Sequence, residues 1–120
     1  MALIYITDTL KKEVKDKLLI NQLVKEVQKH SKGNNNLIDL YSPEKDLKVY
    51  KAYLDSGRVR AAILLKLSAQ IYVPLVIVKK ESRLGWNLSK YSESYLGKRI
   101  LKIWKDVQNK KYEILNLTDS

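Results

Sequence analysis

Cysteine is absent from the 120 residues, histidine occurs once as His30, and the four glycines are scattered. Without cysteine there is no disulfide framework, zinc ribbon, iron–sulfur site or thiol nucleophile. One histidine cannot build a histidine-based metal site alone, and a Ser-His-Asp triad would depend on it entirely. Gly33, Gly57, Gly85 and Gly97 stand too far apart for a phosphate-cradling loop, and no acidic cluster has metal-ligand spacing. No metal and no cofactor are therefore expected. Long apolar runs are missing too: the longest, Ile71 to Val78, is eight residues with Pro74 inside it, far short of a membrane span. The N-terminus has no basic region, and charges between Asp8 and Lys17 come too early for a signal peptide, which predicts a reducing, cytoplasmic location.

What the chain does have is positive charge, unevenly placed. It carries 23 Lys+Arg against 13 Asp+Glu, a net of +10. Residues 1–47 hold 8 basic and 7 acidic side chains and are nearly balanced, whereas residues 48–111 hold 15 basic and 4 acidic ones. A polyanion is the partner such asymmetry suits, because each phosphate met by Lys or Arg releases counterions.

Periodicity divides one domain, residues 1–120, into elements. The β-branched run at 2–7 predicts a strand, with Asp8 or Thr9 capping the helix after it. Leu10, Val14, Leu18, Val24 and Val27 recur at helical spacing over 10–31, as one helix or two broken near Ile20-Asn21. Gly33 and three asparagines end it. Residues 37–46 predict an ordered loop or short helical turn. Residues 47–54, 58–67 and 71–78 predict three strands joined by the turns 55–57 and 68–70, and turns so short demand an antiparallel meander. In the second strand Val59, Ala61, Ile63, Leu65 and Leu67 share the expected core face, and Arg58, Arg60, Ala62, Leu64 and Lys66 the other. Pro74 predicts a bulge or an exposed edge. A last helix, capped by Ser92 or Ser94, buries Leu96, Ile100, Ile103, Trp104 and Val107, keeps Arg99 and its neighbouring lysines largely off that stripe, and stops at Asn109; residues 112–117 make a final short strand. The fold class is α+β, with helices expected on one face of the sheet. His30, in the last turn of its helix, suits the negative end of the helix dipole.

The basic region is short of carboxylates: Asp55 fits a turn, Asp106 a solvated helix face, and Glu81 a partner for Lys79, Lys80 and Arg83. Lys, Arg and Tyr remain. Such a set can clamp phosphates, stack bases and steady a phosphorane, and it can cleave RNA if a Lys or Tyr accepts the 2′-hydroxyl proton.

The segment Tyr50-Lys51-Ala52-Tyr53-Leu54-Asp55-Ser56-Gly57-Arg58-Val59-Arg60, then a hydrophobic strand, then Tyr72-Val73-Pro74-Leu75-Val76-Ile77-Val78-Lys79-Lys80-Glu81-Ser82-Arg83 and a helix, resembles the RelE/ParE superfamily of toxin–antitoxin toxins over residues 2–108. The resemblance implies a strand, a helical hairpin, a three-stranded meander and a C-terminal helix. It further implies a metal-independent endoribonuclease that cleaves mRNA on the ribosome and is silenced by a cognate antitoxin protein. Carried over, Lys51 matches the first-strand lysine, Arg60 or else Arg58 the second-strand arginine, Lys80 or Arg83 the basic group after the third strand, and Tyr91 the C-terminal aromatic. Arg58, Lys66 and Lys79 are the remaining candidates for holding RNA. Tyr53 stands where a second first-strand lysine is often seen, and the Arg58-Val59-Arg60 spacing is shifted by about a residue, so the general base stays open. A ParE-like gyrase inhibitor would need none of these residues for cleavage, and a non-enzymatic basic module would only grip the backbone.

Overall fold

The β-branched N-terminal run forms β1 (Leu3–Thr7) in a computed structural model that describes residues 1–80 and 93–117. Thr7, not Asp8 or Thr9, caps α1 (Asp8–Glu13): its hydroxyl accepts the Leu10 N–H at 3.3 Å. The helix stops where Val14 turns extended, and Asp16 caps α2 (Lys17–Ser31) by accepting the Leu18 N–H at 2.9 Å. The break therefore lies at 14–16 rather than near Ile20-Asn21, because the aspartate supplies a cap there. Gly33 ends α2 as expected, at φ +99°, with its N–H on the His30 carbonyl (3.0 Å) and the Asn34 N–H on Lys29 (3.1 Å).

Residues expected to form a loop or a helical turn instead form β2 (Ile38–Glu44), the outermost strand. Its pairing with β3 (Leu47–Leu54) slips on either side of Tyr41, and Pro43 is tolerated because one side of an edge strand makes no ladder. The meander then runs as expected through β4 (Val59–Lys66) and β5 (Ile71–Lys79), both antiparallel to their predecessors. After α3 (Glu93–Gln108) the chain returns as β6 (Tyr112–Asn116). The sheet has six strands in the order β2-β3-β4-β5-β1-β6, with β1 parallel to β5 and antiparallel to β6. The chain is α+β, and no helix among the described residues is long and apolar enough to cross a membrane.

Both faces of this sheet are covered, which corrects the expectation of helices on one side. Ile4, Tyr50, Ala52, Val59, Ala61, Ile63, Leu65 and Tyr72 pack with Leu10 of α1 and with Leu23 and Val27 of α2. The alternate residues Val49, Ala62, Leu64, Val73, Leu75 and Val76 pack with Leu96 and Ile103 of α3. β4 is buried from Ala61 to Leu65 without a gap, the pattern of a strand covered on both sides.

Pro74 marks a bulge and not an edge. Ala62 pairs with Val76 while Ile63 pairs with Pro74, which leaves Leu75 as the extra residue of an interior strand. Its carbonyl receives two hydrogen bonds from Arg99, whose side chain is only 9% exposed. Arg99 thus belongs to the buried side of α3, contrary to expectation. Asp106 is no solvated helix residue either: its Oδ2 accepts the Thr9 N–H at 2.8 Å and ties α3 to α1, which lowers its pKa against the opposing effect of burial. Ser94 lies inside α3, and the other expected cap, Ser92, lies outside the described residues.

The β3–β4 connection is four residues long, since Leu54 pairs with Val59. Asp55, Ser56 and Gly57 adopt φ of 49°, 54° and 87°, and Gln22 Oε1 accepts the Asp55 N–H at 2.8 Å. Open space surrounds a methyl group added at Gly57. Gly57→Ala should therefore destabilise through the backbone alone, by about 1 kcal/mol. Urea denaturation would read this as a lower midpoint at unchanged slope.

Candidate nucleic-acid interface

The four-residue connection sets which side chains meet. With Leu54 opposite Val59, Tyr53 stands opposite Arg60 and Lys51 opposite Ala62, all on the α3 face of the sheet. Directly opposed residues on one face sit about 5 Å apart at Cβ, and diagonal ones about 7 Å. Lys51 Nζ and Arg60 Cζ each lie 5.2 Å from the centre of the Tyr53 ring, within cation–π range. Tyr53 is 42% exposed, so it offers a surface as well as standing beside two cations. No carboxylate among the described residues pairs with Lys51.

One further hydrogen bond extends the ladder beyond the strands: the Lys80 N–H donates to the Arg58 carbonyl at 2.8 Å. Arg58 and Lys80 are therefore opposite each other at the same end of the sheet as Tyr53 and Arg60. Arg58, Arg60 and Lys80 thus lie at one end of the meander, with Lys51 farther in along the sheet, level with Ala62.

Two other candidates are placed elsewhere. Lys79 pairs with Val59, whose side chain faces α1 and α2, so Lys79 lies on the opposite face from Arg60 and lines a small cavity with Glu13, Val14 and Ile77. Lys66 shares the α3 face but stands four residues from Ala62 along β4, about 13 Å away, and it pairs with Asp46 at 3.7 Å. Arg83 and Tyr91, together with Glu81, lie outside the described residues.

Tyr53 is the group that sequence reasoning passed over. It was an ordinary strand residue and a departure from the expected lysine, and only the register reveals that it bridges Lys51 and Arg60. Its signal was the turn length: a three-residue turn opposes Tyr53 to Val59, and a four-residue turn opposes it to Arg60.

Chemically, the cluster combines two cations beside a ring, two more just beyond the strand ends and a partly exposed tyrosine. It can grip a phosphate through charge-assisted hydrogen bonds, stack a base, and place positive charge where a phosphorane gains negative charge. Among the described residues no group of three His, Asp or Glu side chains is placed to share a metal ion. Compared with known protein families, with curated proteins and with solved structures, the chain matches none of them.

Proposed function

We propose that this protein is the toxin of a toxin–antitoxin pair, an endoribonuclease that cuts mRNA in the cytoplasm without a metal ion, on the ribosome. The observation that carries the reading is the Lys51–Tyr53–Arg60 cluster on one sheet face, with Tyr53 exposed and both cations half-buried, in the strongly cationic part of the chain. The resemblance of the meander segments to RelE/ParE toxins supports the same reading, and the observed element order agrees with what that resemblance implies, with β2 and β6 as additions.

The chemistry is an in-line attack by the 2′-oxygen of the RNA on its own 3′-phosphorus. The 2′-hydroxyl loses its proton to a neighbouring base, the P–O5′ bond breaks, and the departing 5′-oxygen takes up a proton, leaving a 2′,3′-cyclic phosphate. Arg60 is suited to bind the non-bridging oxygens in pairs. Tyr53 and Lys51 are the two groups beside it able to accept or return a proton. Lys80 and Arg58 extend the grip along the strand. A cognate acidic antitoxin would silence the protein by covering the cationic end of the sheet.

Expression in bacteria should arrest growth. With excess EDTA the purified protein should cut ribosome-bound mRNA and leave cyclic phosphate ends, and an Arg60→Ala, Lys80→Ala variant should do neither. Intact mRNA together with inhibited DNA supercoiling would replace this reading by gyrase inhibition. RNA binding that falls steeply with salt, without any cleavage, would reduce the protein to a binding module.

A further inference from the structure

On the α1–α2 face, at the end of the sheet away from the cationic cluster, the chain's single histidine lines a cavity of about 240 Å³. Its apolar wall is Ala2, Leu65 and Leu67, and its polar groups are His30, Ser31, Gln70 and Tyr72. His30 Nδ1 and the Tyr72 hydroxyl are 2.8 Å apart, and the imidazole packs 4.7 Å from the buried Tyr50 ring. Burial lowers the His30 pKa, and the nearby Lys48 charge lowers it further. Burial, with a smaller contribution from Tyr50, pushes the Tyr72 hydroxyl up to about 12. The two groups share one hydrogen bond, and both shifts favour their uncharged forms.

The lining contains no Lys, Arg, Asp or Glu, although the protein as a whole carries +10. Phosphate recognition draws on cations, and no cationic side chain lines this space. The volume is smaller than the ~300–1,000 Å³ that encloses a drug-sized molecule, and suits one flat ring system. His30 Nε2 is engaged by no described residue, and it is not among the buried atoms left without a partner, so it remains open to a ligand. The Tyr72 hydroxyl can donate to Nδ1 or accept from it, which leaves Nε2 as a donor in one tautomer and an acceptor in the other. Ser31 Oγ donates to the Gln28 carbonyl at 2.7 Å and keeps its lone pairs. Gln70, on the turn before β5, adds an exposed amide with both a donor and an acceptor.

We propose that this cavity binds a neutral heteroaromatic ring of nucleobase size, its faces against Leu65 and Leu67 and its hydrogen-bonding edge toward His30 and Gln70. Two sources present such a ring, a free nucleoside and an unpaired base of an RNA strand. The site is separate from the Lys51–Tyr53–Arg60 cluster and stands whether or not that cluster cleaves RNA.

Because His30 is the only histidine, one set of imidazole carbon–proton NMR signals reports on the cavity without overlap. Adenosine, guanosine, cytidine and uridine would be titrated separately, with ribose and inorganic phosphate as controls. The expected result is a saturable shift of the His30 signals by at least one nucleoside, with a Kd of roughly 0.1–1 mM for a ligand of this size, and none from ribose or phosphate. Gln70→Ala should weaken that binding about fivefold, one hydrogen bond's worth, while the His30 signals of the free protein stay in place and show the fold intact. A short oligoribonucleotide that competes with the nucleoside assigns the site to a strand; a nucleoside that binds without such competition assigns it to the free metabolite. If no nucleoside moves the His30 signals at about 10 mM, or if phosphate moves them as much, the proposal is overturned.

Discussion

Arg99→Leu is expected to lower the free energy of unfolding by about 1–3 kcal/mol, the cost of leaving a buried carbonyl without its donor, because Glu13 is 37% exposed and solvent screens its share of the ion pair. The arginine bridges three elements. Its Nε and Nη2 donate to the Leu75 carbonyl at 3.1 and 2.7 Å, and its Nη1 and Nη2 donate to the two oxygens of Glu13 at 2.9 and 2.6 Å. The Leu75 carbonyl is available because the bulge at Pro74 takes it out of register, and the residue is wholly buried. Leucine would leave that oxygen without a partner, which is the source of the penalty. It would also leave Glu13 with Lys102 alone, at 3.3 Å on the exposed side. Arg99→Lys restores the charge but not the fork, and should recover less than half of the loss. Chemical denaturation of the three proteins checks this, and a loss below about 1 kcal/mol for Arg99→Leu would show that the contact is surface decoration.

Acid titration separates the ion pair from the packing. Hydrogen bonding to Arg99 holds the Glu13 carboxyl below the ordinary value of 4.5, burial opposes this, and the charge of Arg99 and contacts with Lys102 reinforce it. A carboxylate with a depressed folded pKa stabilises the protein above its unfolded value and loses that contribution as pH falls through the folded one. The parent should therefore lose stability below about pH 4.5, and Arg99→Leu should lose less over the same interval. On the alkaline side Tyr72 contributes most, with Tyr5, Tyr41 and Tyr95 shifted the same way: because its folded pKa is raised to about 12, the unfolded chain ionises first and stability should fall as pH rises above the ordinary 10.0.

The elements that were legible in the sequence are those whose burial leaves a period. The α2 and α3 stripes, apart from Leu18 and Trp104, which are exposed, the three meander strands and the stop at Gly33 follow from apolar spacing and turn chemistry. β2 left no such mark, because an edge strand whose residues are all exposed or half-buried has no alternation to display. β4 lost its alternation for the opposite reason: Ala62 and Leu64 are apolar because α3 covers them, and a one-sided sheet would have made them surface residues. Arg99 and Asp106 read as surface charges since spacing does not show a partner 86 or 97 residues away. The site depended on a single residue of register. Arg58 belongs to the turn, in a helical conformation, and not to the strand. That one residue moves Tyr53 from Val59 to Arg60 and creates the cluster.

Under the proposed function, Arg60→Ala should slow RNA cleavage by about 10²- to 10³-fold in kcat, the usual cost of removing one group that steadies charge formed in the transition state. The loss should fall on the chemical step more than on binding, because Lys51, Arg58 and Lys80 remain to hold the backbone. Arg60→Lys retains a charge but not paired hydrogen bonds to two oxygens, and should recover only part of the rate. Tyr53 distinguishes the two roles its position allows. As a platform it needs its ring alone, so Tyr53→Phe should stay within about threefold of the parent while Tyr53→Ala, which removes a stacking surface worth about 1–3 kcal/mol per base, weakens RNA binding. As the group that handles the 2′-hydroxyl proton it needs its oxygen, and Tyr53→Phe should then fall by about 10²-fold or more in kcat with KM unchanged. Single-turnover cleavage of labelled mRNA bound to ribosomes by the four variants reads both. If Arg60→Ala and Tyr53→Phe each retain the parent rate, the scissile phosphate does not sit between these side chains, and cleavage must be sought elsewhere on the cationic surface.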